Sequence, residues 1–421
     1  MKRGGETGTG GGRWHVVTCE YPPRTGGVSD YTRVVAEGLA AAGEEVCVWC
    51  PPASEAPGGG ARGGGAGGAA GAGGGRLAVR EECGEFKPAD LRRVGRLLDA
   101  EPGPRRLLVQ YVPHGYGRRA VNVGFCFWLW RRARLKGDRV EVMVHEPFIE
   151  FGHSPLRWAA AAAQRVMAAL LVNAAERVWT STPEWERLWR PYALGRRVEF
   201  GWLPVPNVVP VVADAELTAR ARARYAAPGG VLVGHFGTHP RPVAEQMAAV
   251  LAALLARRPE ASALLVGRGG EALRDRLRRE HPSLGARVQA TGVLAAAEVS
   301  AHLAACDLLA QPFPDGVTGR RTSVMAGLAH GLPVVTTAGR LTEPLWAAGG
   351  AVRLVAAGGA GGMVEAIESL LADAGERRRL GEAGRAFYRE HFDAPRVVAA
   401  LRRGGAAGEA VPGAVPAGAR Y

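Results

Sequence analysis

The chain is 421 residues long, 47% hydrophobic and 22% charged. This excludes an intrinsically disordered chain, and the length is more than one ordinary core accommodates, so two domains are expected. The formal net charge of +13 is carried almost wholly by arginine, but the arginines are scattered along predicted helices instead of forming one stripe, so no nucleic-acid partner is expected.

Residues 1–12 are Gly-rich, lack the apolar centre of a signal peptide and read as a disordered tail. Trp14–Cys19 is a short apolar strand, followed by the loop Tyr21-Pro-Pro-Arg-Thr-Gly-Gly-Val28. A helix is expected from about Ser29, an N-cap residue type, with Tyr31, Val34, Val35 and Leu39 on one face and Gly43 as its stop. Val46–Cys50 is the next strand, so the unit is strand–helix–strand, as in parallel sheets. Cys47-x-x-Cys50 lies inside this apolar run. With no second pair for zinc, and Pro51-Pro52 where a redox helix would start, these cysteines read as small core residues in a reducing cytoplasm.

Residues 57–75 are almost all Gly and Ala and read as a disordered surface insertion. Strands are expected at Leu107–Val112, Val140–Val144 and Arg177–Thr180. The apolar run Val121–Trp130 is too short to span a bilayer, and Trp158–Val172 reads as a buried helix with a monotopic membrane contact as the alternative. The pattern breaks at Leu203-Pro-Val-Pro-Asn-Val-Val-Pro210, which marks a domain boundary. We therefore expect a first Rossmann-like domain over 13–205 and a second over 206–403, whose last helix is a candidate to cross back. A disordered tail is expected over 404–421. The second domain should hold strands at Val231–Phe236, Ala263–Val266, Ala286–Ala290, Leu308–Gln311 and Pro333–Thr336. Two doubly wound sheets of this kind are expected to face each other across a cleft, with ligands at the strands' carboxyl ends.

Three loops fall there. Gly26-Gly27 lets a backbone approach an anion at a helix N-terminus, or is an ordinary tight turn. His145-Glu146-Pro147 follows the strand Val140–Val144, so His145 meets a substrate or caps the strand. Pro314–Ser323 enters a helix with Gly319, Arg320, Arg321, Thr322 and Ser323, a donor set for a diphosphate or a surface loop of solvated arginines.

The segments Tyr21-Pro-Pro-x-x-Gly-Gly-Val28, His145-Glu146 and Gly331-Leu-Pro-Val-Val335 resemble, in order and spacing, the family-4 retaining glycosyltransferases of the GT-B fold. The resemblance runs from Trp14 to about Val398 without the Gly-rich insertion. It implies metal-independent, cofactor-free transfer of a sugar from a nucleotide-sugar substrate held by the second domain, with retention of configuration. The acceptor, on the first domain, would be a glycan, a lipid-linked molecule or a small metabolite. The enzyme would be cytoplasmic, with peripheral contact at the inner face of the membrane as a further expectation. Gly26 and Gly27 would sit against donor phosphate or acceptor, and His145 near the transferred sugar.

The chain departs from the family at positions that usually carry two glutamates, here Thr318 and Ala326. The usual cations after the first strand of the second domain are also missing. Arg241 and Arg268 are the candidate replacements on the diphosphate, Glu343 the candidate ribose partner, and His114 an acceptor-side candidate. The alternatives are a catalytically inactive or regulatory binding protein of the same fold and, with Glu146 as the acid, a nucleotide-sugar epimerase.

Overall fold

The computed structural model describes residues 13–53, 69–70 and 75–404. The expected tail 1–12, the bulk of the Gly-rich segment 57–75 and the end of the tail 404–421 lie outside the described residues. Two compact units divide the chain, one over residues 1–203 together with 397–421, the other over Pro204–Arg396.

The first unit is a parallel sheet of β1 (Trp14–Thr18), β2 (Val46–Trp49), β4 (Arg76–Arg80), β5 (Arg106–Tyr111), β6 (Arg139–Val144), β7 (Arg177–Thr180) and β8 (Glu199–Trp202), with β3 (Ala69–Ala70) antiparallel at its edge. The order is β3-β4-β2-β1-β5-β6-β7-β8. Strand β1 therefore lies where the winding reverses, with Trp14 in register with both Val46 and Arg106. Strand β2 reads as an unbroken apolar run and β1 is buried at every position, its His15 accepting from Trp49 Nε1 at 3.1 Å and its Thr18 hydroxyl donating to the Glu20 carbonyl at 2.8 Å, the pattern of covered parallel strands. Helices α1 (Gly27–Ala41), α2 (Pro88–Asp99), α3 (Val123–Leu135), α4 (Pro155–Ala174) and α5 (Glu184–Trp189) provide the crossovers. All six cysteines are free and buried.

Two expectations change here. Helix α1 starts at Gly27 instead of Ser29, because its first N–H groups are capped from outside the helix by Glu20: Val28 N and Ser29 N donate to Oε1 at 3.1 and 3.0 Å. Ser29 lies inside the helix and its Oγ donates to the Arg24 carbonyl at 2.6 Å. Helix α4 is not buried throughout: Leu156 and Trp158 are 71% and 57% exposed and Val166 is 52% exposed. Ala-rich sequence has no polar stripe to mark its outer face.

The second unit has strands β9 (Val231–Phe236), β10 (Ala261–Val266), β11 (Val288–Gly292), β12 (Leu308–Gln311), β13 (Val334–Ala338) and β14 (Arg353–Ala356), all parallel in the order β11-β10-β9-β12-β13-β14. Its helices are α6 (Ala215–Tyr225), α7 (Arg241–Arg257), α8 (Gly270–Glu280), α9 (Ala296–Ala304), α10 (Thr322–His330), α11 (Pro344–Ala348), α12 (Ala360–Ala372), α13 (Ala374–His391) and α14 (Ala394–Arg403). Strand β11 starts at Val288 and not at Ala286, since Pro282–Arg287 coils into 3-10 turns first. The winding reverses between β9 and β12, so the loops after these strands are the expected ligand position. The end of α14 belongs with the first unit, where Arg106 Nη2 donates to the Leu401 carbonyl at 3.3 Å and Arg402 pairs with Glu44 at 2.7 Å.

Candidate functional site

In the second unit the loop after β12 is pinned from several sides. Phe313 N donates to Thr337 Oγ1 at 2.8 Å, whose hydroxyl returns to the Phe313 carbonyl at 2.6 Å. Gly316 has a φ of +91° and lies where a Cβ would run into the Gly339 backbone, so only glycine fits. Gly319 N donates to both oxygens of Glu343, at 3.0 and 3.2 Å. Arg321 pairs with Asp315 and lies 4.3 Å over the Phe313 ring, while Arg320 Nη2 is 3.8 Å from the same carboxylate.

This loop brings Gly319, Arg320, Arg321, Thr322 and Ser323 to the start of α10, whose N-terminus has no side-chain cap. A positive helix end and two guanidinium groups suit an anion, although Thr322 N and Val324 N already donate to the Arg320 and Arg321 carbonyls at 3.1 and 2.9 Å. Asp315 competes for the same arginines and had escaped the sequence reading; its nearness to them in sequence was the available signal. Thr318 and Ala326 are fully buried, so no acid stands at either place, and the carboxyl that enters the loop is Glu343.

Glu343 lies under the loop instead of on its surface. It is 6% exposed, and besides Gly319 it accepts from Trp346 Nε1 at 2.8 Å. Burial pushes its carboxyl up to about 7, against the opposing effect of these donors. Of the two cations proposed as replacements, Arg241 is 90% exposed and paired with Glu245 at 2.8 Å in the first turn of α7. Arg268 is exposed after β10, and its carbonyl meets His239 Nδ1 at 3.1 Å. His239, which sequence reasoning passed over, is buried, adopts a φ of +52° and sets its ring 4.8 Å from His235. It ties the loop after β9 to the loop after β10.

In the first unit His145 follows β6, half-buried. Its Nε2 is 2.8 Å from Gln110 Oε1, and its ring meets Tyr31 of α1 edge-on at 4.7 Å. Burial pushes the imidazole down to about 3, so His145 is neutral at physiological pH. The contact with Gln110 fixes the ring, and the neutral imidazole presents one donor and one acceptor nitrogen. Gln110 is fully buried at the carboxyl end of β5, a polar residue in an apolar run, which is the sequence signal it offered. The adjacent loops also pair His114 Nδ1 with Glu146 Oε2 at 3.3 Å, both exposed.

Gly26 and Gly27 do border a helix N-terminus, but Glu20 supplies the anion there. A Cβ on Gly26 would run into that carboxylate, whereas one on Gly27 would meet open space. The sequence offers these N–H groups to a donor phosphate or an acceptor, or to an ordinary tight turn; two of them are already taken by the chain's own glutamate.

Residues 228–373 match the family model described as Glycosyl transferases group 1. No curated protein matches the chain. Among solved structures it is similar to Anabaena HepE in complex with UDP, at 16% identity and a TM-score of 0.62, covering 93% of this chain and 98% of that one. It is similar to sucrose-phosphate synthase from Thermosynechococcus elongatus, at 18% and 0.61 over 93% and 98%. It is also similar to the trehalose 6-phosphate synthase from Burkholderia multivorans, at 14% and 0.60 over 94% and 99%. At these identities the likeness carries the fold: two parallel-sheet Rossmann-like domains of the GT-B class.

Proposed function

We propose that the protein is a glycosyltransferase that binds a nucleotide sugar through the second unit and transfers its sugar, with retention and without a metal, to an acceptor bound by the first. The observation that carries this is the match of residues 228–373 to a glycosyltransferase model, because that segment builds the Arg320–Arg321 loop. In this reading Arg320, Arg321 and the positive end of α10 hold the diphosphate, and Glu343 positions the loop. Charge that develops on the departing diphosphate is met by fixed dipoles and guanidinium groups, which favours the transition state over the bound substrate. His145, neutral and oriented by Gln110 and Tyr31, hydrogen-bonds sugar hydroxyls and carries no charge of its own.

The test starts with thermal shifts against UDP, GDP and ADP, UDP first because HepE was solved with it. A ligand at 100 times its Kd stabilises by about 2.7 kcal/mol. Arg320→Ala with Arg321→Ala is expected to weaken nucleotide binding at least about ten-fold, and unchanged affinity would remove the diphosphate assignment. His145→Ala is expected to lower transfer while leaving nucleotide affinity intact; full activity would return His145 to a structural role. EDTA is expected to leave turnover unchanged.

A second reading, a binding protein without turnover, is favoured by two observations: neither Thr318 nor Ala326 is acidic, and Asp315 engages the arginines. It predicts nucleotide binding with no nucleoside diphosphate released from any sugar donor. An epimerase would change the sugar without that release.

A further inference from the structure

Helix α4 carries apolar residues on its open side as well as on its buried one. Inward it buries Ala161, Met167, Ala168, Leu171 and Val172. Outward, Ala159 and Val166 are exposed and Ala162 and Ala163 half-buried, none of them charged. An apolar stripe left in the open, on a helix whose charges are Arg157 and Arg165 alone, marks a contact surface. Its N-terminal turn projects Leu156 and Trp158, and Phe151, 47% exposed, lies 5.3 Å from the Trp158 ring. Arg165 does not reach outward to water: it lies 3.9 Å over Phe151 and 4.7 Å over Phe148. The helix is too polar at its ends to cross a bilayer, and among the described residues no helix is long and apolar enough to do so.

The charge on the two helices of this side is one-signed, with Glu146 and Glu150 exposed in the loop that precedes α4. Neither α4 nor α3, which packs against it, contains an Asp or Glu. Arg131 and Arg134 are exposed on α3 next to Phe127, and Arg157 is exposed on α4. Exposed Glu150, in the loop before α4, is the nearest acid that follows Glu146. Aromatic and aliphatic tips surrounded by arginine, with no acid on either helix, fit the headgroup region of an anionic bilayer.

We infer that the surface formed by Phe151, Leu156, Trp158 and the outer face of α4, with Arg157 and the arginines of α3, docks the protein on an anionic lipid surface. Phe148–Phe151 continue directly from His145-Glu146, so docking brings that loop to the headgroups. On the transferase reading above, the acceptor is then an amphiphile held in the membrane.

The experiment is flotation of the full chain with phosphatidylcholine vesicles, with and without phosphatidylglycerol. Binding is expected only with the anionic lipid and should fall as salt rises. Phe151→Ser with Trp158→Ser is expected to reduce partitioning at least about ten-fold, since two large apolar groups leave the interface, with little change in melting temperature because both rings are exposed. Absence of flotation, or flotation unchanged in the double variant, overturns the proposal. So does a concentration-dependent dimer in light scattering that the double variant abolishes, which would make this face a contact between copies. A UDP thermal shift on the same samples reads the donor site separately: vesicle binding without nucleotide binding fails only the transferase reading, and the reverse fails only this one.

Discussion

Glu343 is a carboxyl placed where a carboxylate is hard to keep. Its raised position at about 7, against an ordinary 4.5, has a definite sign for stability. The folded state holds the proton over a range in which the unfolded chain releases it. The stability linked to this proton is therefore fully present below about 4.5 and is lost as pH rises through about 7. The loss is on the order of 3 kcal/mol by the size of the shift. Glu343→Gln keeps an oxygen for Trp346 and Gly319 but cannot ionise. Its stability relative to the wild type should improve from pH 5 to pH 8 (roughly the span bracketing the shift) in urea denaturation. A difference that stays flat with pH would mean the carboxyl is ordinarily ionised. Asp315→Asn frees Arg321 and should tighten nucleotide binding a few-fold, roughly what a half-exposed ion pair contributes. Weaker binding would show that Asp315 holds the arginine in its working position.

At the level of elements, the strand pattern was largely legible. Runs such as Val46–Cys50 and Val231–Phe236 are buried on both faces and so carry the signal of a parallel sheet in composition alone. The loops that end them were located for the same reason, as carboxyl ends of recognisable strands. What could not be read were the partners chosen across the fold. Glu20 stands seven residues before α1 and reaches its N-terminus through the loop, so no local capping pattern announces it. Gln110 and Tyr31 meet His145 from β5 and α1, which sequence separates widely. Arg241, chosen as a cation near β9, turned out to be spent on Glu245 in its own helix. The Glu20 cap gives a direct test: Gly26→Ala must displace the carboxylate from Val28 N and Ser29 N, and should cost about 1 kcal/mol, as loss of an N-cap does. Gly27→Ala, with open space around its Cβ, should cost less. Equal effects in thermal melts would mean the cap contributes nothing.

Across the whole molecule, buried histidines decide the response to acid. Burial holds His15 at about 4 and His145 and His235 at about 3, and also depresses His239, His330 and His391. The folded chain refuses protons that the unfolded chain takes up below 6.5, so the stability these groups provide is present above 6.5 and is lost as pH falls toward 4. Glu343, joined by Asp30, acts in the opposite direction, because raised carboxyls favour the folded state as the solution becomes acidic. The magnitudes settle the contest. His15 and His235 are only 1% and 2% exposed, and each contributes about 1.4 kcal/mol per pH unit within its window. Those two alone outweigh Glu343, whose slope is the same size and belongs to a single proton. The histidines also lie in both units, His15 on β1 and His235 on β9, so neither sheet escapes. Denaturant midpoints should therefore fall between pH 6.5 and pH 4.5, and fall more steeply in Glu343→Gln, which lacks the opposing proton. A midpoint that holds or rises on acidification would show that these imidazoles are solvated in the native state, and would take from His145 the neutrality on which its proposed role depends.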